Sequence, residues 1–294
     1  MRPAVTIATR AARAAGELIL RHLDRIHTLE IEHKGRHDYV SQVDRMAEEL
    51  IVRELRHAWP DCAILGEEGG ERGSSTARRV WIVDPLDGTS NFLRGIPHFA
   101  VSIALMEQGQ LVDAVVFDPV RNELFTASRG SGALLNGRRL RVGQRVQLDG
   151  ALLATGFPFR EPEHLPAHLE MLRRVLEKAE DLRRTGSAAL DLAWVACGRL
   201  DGYFEYGLAP WDMAAGSLLV REAGGRCADF ANGDRYLFSG GVIAANVKLC
   251  GLLYETLRPA VSEAMLARLA EPRRSRSPRG DAKPSPGAHR RGRE

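Results

Sequence analysis

The carboxylates of Asp84 and Asp87 stand three residues apart in the segment Trp81-Ile82-Val83-Asp84-Pro85-Leu86-Asp87-Gly88-Thr89-Ser90-Asn91-Phe92. The apolar run Val80 to Val83 reads as a buried strand, and Asp84 falls at its C-terminal end, where open sheets build ligand sites. Pro85 stiffens the turn, so both carboxylates can aim at one point. Carboxylates converging in this way repel each other unless a cation lies between them, and donors that are all oxygens suit Mg²⁺ better than zinc. The backbone carbonyl of Leu86, turned outward, would be a further ligand. Gly88, Thr89 and Ser90 could then open a helix whose free N–H groups suit a phosphate. The same residue types also make ordinary surface turns; the buried strand leading into this one argues for a site.

Two further segments extend the pattern. Leu65-Gly66-Glu67-Glu68-Gly69 follows an apolar stretch and places an acidic pair in a glycine-flanked loop. Pro210-Trp211-Asp212-Met213-Ala214-Ala215-Gly216 sets Asp212 just ahead of an apolar helix. Taken singly, the first is a solvated loop and the second a helix N-cap, worth about 1 kcal/mol. Four such carboxylates at one site would carry a charge of about −4, and each like-charge pair at about 4 Å costs about 4 kcal/mol at an effective dielectric of ~20. A phosphate ester could enter such a site only with cations present.

The elements that must position these groups follow from periodicity. Val5 to Leu23 reads as an amphipathic helix, and a second helix starts near Ser41, whose spacing to Asp44 is that of a capping box, and closes at Pro60. No strand is expected between them. Ala100–Met106, Leu111–Phe117 and Glu123–Ala127, with the Asn136-Gly137 turn, predict an antiparallel meander. Later come strands at Leu152–Thr155, Asp201–Glu205 and Val242–Ala245, and helices at His164–Lys178, Ser187–Cys197, Met213–Ala223 and Lys248–Leu269. That order predicts an α/β (α+β) fold of sheets covered by helices in more than one layer.

Composition bounds the rest. The chain has 294 residues, 44% hydrophobic and 27% charged, as in an ordinary globular protein. From Glu271 to Glu294 there are 8 basic and 3 acidic residues, so the preceding body holds 33 and 35 and is slightly acidic. That segment, rich in Arg, Ser, Pro and Gly, predicts a disordered basic tail on a 1–270 domain. Cys62, Cys197, Cys227 and Cys250 form no C-x-x-C pair, which predicts free thiols in a reducing cytoplasm. Neither a signal peptide nor a membrane span is expected. None of the nine histidines sits in a motif with the carboxylates, and His98 is given a structural role.

Gly66-Glu67-Glu68, Asp84-Pro85-Leu86-Asp87-Gly88-Thr89 and Trp211-Asp212 with Ala214-Ala215-Gly216 together resemble the inositol monophosphatase family of Mg²⁺-dependent, lithium-sensitive phosphatases. Arg183-Arg184-Thr185-Gly186-Ser187-Ala188-Ala189 and Arg221-Glu222-Ala223-Gly224-Gly225 are similar to its bacterial members, and the likeness spans residues 5–265. The resemblance implies a layered α-β-α-β-α sandwich and two or three Mg²⁺ ions. Glu67, Asp84 and the Leu86 carbonyl would hold one ion; Asp84, Asp87 and Asp212 would hold a second. Asp44 matches an acidic position near the metals, with helix capping as the competing explanation. Glu205 and Ala188 would contact substrate hydroxyls, with Leu86, Asp87, Gly88, Thr89 and Asp212 lining the substrate, while Arg183 would serve either substrate or a subunit contact. A water oriented by the catalytic Glu67 and Thr89 would attack phosphorus in line, with Asp87 in the same core. Inositol 1-phosphate is the expected substrate. The same core also serves phosphatases for histidinol phosphate, fructose 1,6-bisphosphate and adenosine 3′,5′-bisphosphate. Family members usually form homodimers, and some bacterial relatives bind RNA polymerase in transcription antitermination, a setting in which a basic tail could add affinity for RNA.

Overall fold

Small residues set the first layer. In α1 (Pro3–Leu23) proline occupies the first turn, where no N–H partner is needed, and Ala4, Ala8, Ala11, Ala12, Ala15 and Ile19 form the buried face. The helix lies so close to its sheet that a Cβ on Gly16 would come within 2.7 Å of the Phe117 ring. Ser41 caps α2 (Gln42–Ala58) by accepting the Val43 N–H at 3.2 Å, while Asp44 Oδ2 accepts the Ser41 N–H at 2.8 Å. The structure, a computed structural model, describes residues 2–26, 31–35, 38–74 and 76–270. The expected tail from Glu271 lies outside them.

Between the two helices runs a hairpin, β1 (Ile31–Gly35) with β2 (Asp38–Ser41), where the sequence predicted no strand. The polar run carries no alternating apolar pattern from which pairing could be read.

The first large sheet contains β3 (Ala63–Gly66), β4 (Gly70–Arg72), β5 (Arg79–Asp87), β6 (Ala100–Glu107), β7 (Gln110–Asp118), β8 (Glu123–Ser128), β9 (Gly132–Leu135) and β10 (Arg138–Arg139). Its order is β10-β9-β8-β7-β6-β5-β3-β4, and the predicted meander is present from β6 onward. Two-residue turns join β6 to β7 and β9 to β10, with φ of 50° and 76° at Gln108-Gly109 and 47° and 80° at Asn136-Gly137. Positive φ at both central residues is what such hairpins require. The second sheet contains β11 (Leu152–Thr155), β12 (Asp181–Arg183), β13 (Gly202–Tyr206), β14 (Gly225–Ala228) and β15 (Gly241–Asn246), in the order β12-β11-β13-β15-β14. The edge strands β12 and β14 are too short and polar to announce themselves in the sequence.

Alternation along the strands assigns the layers. Trp81, Val83, Val101 and Ile103 face α1 and α2, whereas Ile82, Ala104 and Val116 face α5 (Ala188–Ala196) and α6 (Pro210–Glu222). The other side of α5 and α6 receives Ala154, Tyr203 and Ala244 of the second sheet. Leu153, Phe204 and Ile243 point outward, to Met171 and Val175 of α4 (Leu165–Leu176) and Leu249 and Leu253 of α8 (Val247–Leu257). The fold is thus the expected α-β-α-β-α sandwich. Ala214, Ala215 and Gly216 are buried in the central layer, where a Cβ on Gly216 would meet Leu192 Cβ at 2.5 Å. The single helix predicted over Lys248–Leu269 is broken instead. Pro259 ends α8 in a 3₁₀ turn at Arg258–Ala260, and a separate helix runs over Glu263–Ala270.

Candidate active site

A cleft opens where the C-terminal ends of four strands converge. β3 and β5 are parallel neighbours in one sheet, as are β11 and β13 in the other, so each pair delivers two ends to the same side. β3 leads to Glu67, β5 to Asp84 and Asp87, β11 to Gly156 and Arg160, and β13 to Glu205.

A bulge brings the two aspartates onto one face. Along β5 and β6, Asp84 pairs with Ser102 but Asp87 with Ala100, so β5 carries one extra residue. That insertion turns Asp87 to the side of Asp84 and sends the Leu86 side chain into the opposite core. The Leu86 N–H donates to Asp84 Oδ1 at 3.0 Å, and the Leu86 carbonyl accepts from the Thr89 hydroxyl at 3.0 Å. Gly88 follows with φ of 101°, and a Cβ there would lie 3.0 Å from the His98 carbonyl. Only glycine fits this turn without strain.

The other ligand candidates are held from separate elements. Asp212 is the third residue of α6, not its N-cap; the helix begins three residues earlier than predicted because Pro210 suits a first turn. Its Oδ2 accepts the Ala209 N–H at 2.7 Å, leaving the rest of the carboxylate toward the cleft. Asp87 Oδ2 accepts the Ser187 hydroxyl at 2.6 Å and the Ala189 N–H at 2.7 Å, at the start of α5. Carboxylate oxygens of Asp84, Asp87 and Asp212 all lie within 4.8 Å of one another, and all three residues are buried. Asp44 shares its oxygens between the α2 cap and Thr89, whose hydroxyl lies 2.8 Å from Asp44 Oδ1. It therefore caps α2 and touches the site only through Thr89; it is not one of the three carboxylates that converge.

Burial and mutual repulsion push these acids toward their protonated forms. Burial, then the charges of Glu67, Asp87 and Asp212, raises Asp84 well above the usual range. Asp87 is pushed up to about 7 by burial and by Asp212. Asp212 is raised to about 6 by burial, and the Arg160 guanidinium limits the rise. A site that in isolation would hold protons in place of charge fits a hard divalent cation with oxygen ligands.

The opposite wall is polar. Glu205 lies over Gly156, where a Cβ would come within 2.1 Å of its carboxylate, and burial raises its pKa to about 7. The Tyr203 hydroxyl hydrogen-bonds to Glu205. Asp191 accepts from the Thr185 hydroxyl at 2.8 Å and is raised well above its ordinary value by burial.

Of the predicted site residues, Glu67, Asp84, Leu86, Asp87, Gly88, Thr89, Ala188, Glu205 and Asp212 line the cleft together. Arg183 does not. It pairs with Asp181 on the exposed edge strand β12, and Arg184 takes the place beside the cleft. His98 packs against Trp194 with ring centroids 5.1 Å apart, and burial lowers its pKa to about 4. Five contributors escaped the sequence: Arg160, Arg184, Ser187, Asp191 and Glu48. Glu48 accepts the Glu68 and Gly69 N–H groups, each at 2.8 Å, and an Arg72 guanidinium at 3.1 Å, which fixes the loop carrying Glu67. A carboxylate one turn after Asp44, inside the apolar stripe of α2, was a usable signal for it. Arg160 could have been sought beyond the end of the strand at Leu152–Thr155.

The chain matches the inositol monophosphatase family over residues 1–266. A protein of Xylella fastidiosa named Nus factor SuhB is 54% identical over 262 residues, spanning 87% of this chain and 94% of its own length. The crystal structure of the extragenic suppressor protein suhB from Bartonella henselae superposes with a TM-score of 0.84 at 44% identity, over 87% of this chain and 98% of that one. An inositol monophosphatase structure from Anabaena gives 0.78 at 34% identity, over 88% and 97%. With its layers, its carboxylate cluster and its motifs all in one arrangement, the chain belongs to the inositol monophosphatase family.

Proposed function

We propose that this chain is a Mg²⁺-dependent phosphomonoesterase that converts myo-inositol 1-phosphate and water to myo-inositol and phosphate. The observation that carries this is the convergence of Asp84, Asp87 and Asp212 within 4.8 Å, facing a wall of hydrogen-bonding groups suited to a polyol. Bound Mg²⁺, as two or three ions, would neutralise the phosphate, lower the pKa of a coordinated water and stabilise the leaving oxygen.

The chain's own groups do the positioning. Asp84, Asp87, Asp212, Glu67 and the Leu86 carbonyl are the ligand set, with Asp44 at its margin. Glu67 and the Thr89 hydroxyl orient the attacking water, and Asp44 fixes that hydroxyl at 2.8 Å. Ser187 and the Ala189 N–H lock the Asp87 rotamer. Glu205, Asp191 and the Ala188 edge receive the substrate hydroxyls. No side chain need act as a covalent nucleophile. Lithium inhibition and a homodimer are part of this reading.

Phosphate release from inositol 1-phosphate is the test, with Mg²⁺ or with EDTA, for wild type and Asp87→Asn. Turnover that is equal in all arms ends the proposal. Parallel assays on histidinol phosphate, fructose 1,6-bisphosphate and adenosine 3′,5′-bisphosphate set the substrate.

The name Nus factor carried by the relatives favours a second role, in transcription antitermination with RNA polymerase. Co-sedimentation of the chain with RNA polymerase tests it, and salt-dependent RNA retention with and without residues 271–294 tests the tail. Cys62, Cys197, Cys227 and Cys250 are unpaired, in keeping with a cytoplasmic protein. Among the described residues no helix is long and apolar enough to cross a membrane.

A further inference from the structure

Arg160 stands where a cation is wanted. Its Nη1 lies 3.2 Å from Asp212 Oδ2 and its Nη2 lies 3.5 Å from Glu67 Oε1. The guanidinium thus bridges one acid just after β3 of the first sheet and another in the first turn of α6, and both are candidates for holding Mg²⁺. Arg160 follows Phe157-Pro158-Phe159, a stretch without regular helix or strand, and its side chain is 29% exposed. It leans on the neighbouring Phe159 ring at 5.1 Å. A long side chain on such a segment can leave its partners without unfolding any element.

We propose that Arg160 is an internal stand-in for the metal and, once displaced, a clamp for the phosphate. In the metal-free protein its single charge offsets part of the repulsion among Glu67, Asp84, Asp87 and Asp212. A divalent ion brings twice the charge to the same oxygens and releases the guanidinium. The freed fork then faces a cleft that must hold a phosphate dianion, the partner a guanidinium binds bidentately. Arg160 therefore acts in opposite directions on the two ligands: it competes with the metal and supports the phosphate. A fixed structural ion pair would act differently, because losing it would leave Asp212 badly placed and weaken metal binding.

This rests on the proposed phosphatase site, and calorimetric titration of the full-length protein separates the two. Mg²⁺ is titrated into metal-free wild type and Arg160→Gln, and inorganic phosphate into both after Mg²⁺ saturation. The expected result is Mg²⁺ affinity raised three-fold or more in Arg160→Gln, with phosphate affinity lowered about ten-fold. Its melting temperature should fall below wild type in EDTA, and Mg²⁺ should close the gap. Weaker Mg²⁺ binding, or unchanged phosphate binding, overturns the proposal. If Arg160→Gln does not fold, Arg160→Lys decides: its point charge should keep Mg²⁺ affinity near wild type while phosphate affinity falls several-fold, and an unchanged phosphate affinity again overturns it. A wild type that binds no Mg²⁺ overturns the phosphatase reading as well, whereas a wild type that binds both ligands beside an unaltered Arg160→Gln overturns only the role of Arg160.

Discussion

Replacing Asp87 by Asn should stabilise the metal-free protein, increasingly so as the pH rises. In the folded chain without metal the Asp87 carboxyl is pushed from 3.8 up to about 7, first by burial and then by Asp212. Between those values the folded chain holds a proton that the unfolded chain has lost, so stability falls as pH rises through the window. At ~1.4 kcal/mol per unit the full loss is about 4 kcal/mol, of which roughly 3 kcal/mol falls between pH 5 and 8. Asn carries no charge to bury, and its carbonyl oxygen can still accept from Ser187 and Ala189, so its own pH dependence at this position vanishes. At roughly 2 °C per kcal/mol for a chain of this size, the difference in melting temperature between Asp87→Asn and wild type should move by about 6 °C in favour of the variant. The assay is thermal denaturation in EDTA at half-unit steps of pH. Taking the difference between two proteins cancels the opposing contribution of His98 and His168, both lowered to about 4 by burial. Saturating Mg²⁺ should reverse the order, because the ionised carboxylate is then neutralised by a ligand that binds only the folded chain. A difference that stays constant from pH 5 to 8 in EDTA would refute the electrostatic account of the site.

The supporting residues make separate predictions. Glu48→Ala strands the Glu68 and Gly69 N–H groups and the Arg72 guanidinium, so it should cost about 3 kcal/mol of unfolding free energy, and Mg²⁺ affinity measured by calorimetry should weaken about ten-fold as the Glu67 loop loosens. Thr89→Val preserves shape but removes the hydroxyl between Asp44 and the Leu86 carbonyl; steady-state kinetics should show kcat lowered about 100-fold with KM little changed, and Thr89→Ser restoring most of it. Glu205→Gln should raise KM about ten-fold for inositol 1-phosphate yet leave a phosphate ester without neighbouring hydroxyls unaffected, because the hydrogen bonds at stake belong to the polyol.

Those parts of the fold whose pattern repeats were legible in the sequence. The meander declared itself through alternating apolar residues and the Asn136-Gly137 turn, and α1 and α2 through a 3.6-residue stripe. The elements that escaped are short or lack pattern: the hairpin β1–β2, and the edge strands β12 and β14, whose pairing comes from their neighbours and not from their own residues. Pro259 stands inside an otherwise apolar helical run, and the chain breaks there.

In the site, legibility followed the distance along the chain over which a residue acts. Asp84 and Asp87 lie three residues apart, so convergence could be read locally as a turn, although the structure achieves it by a bulge within one strand. Asp212 and Asp44 have local capping contacts that compete with any functional reading, and in the structure the competition disappears. The Ala209 N–H occupies Oδ2 of Asp212, and the Ser41 N–H occupies Oδ2 of Asp44 while Oδ1 meets Thr89. A helix start thus fixes each carboxylate by one edge, so a capping contact does not by itself argue against a second role for the same residue. Arg160 and Glu48 have weaker local signatures, a carboxylate inside the apolar stripe of α2 for Glu48 and a place beyond β11 for Arg160, because their polar partners lie far along the chain: Asp212 lies 52 positions from Arg160, and Gly69 lies 21 from Glu48. Such partners can be identified only after the strand ends have been brought to the same side of the two sheets.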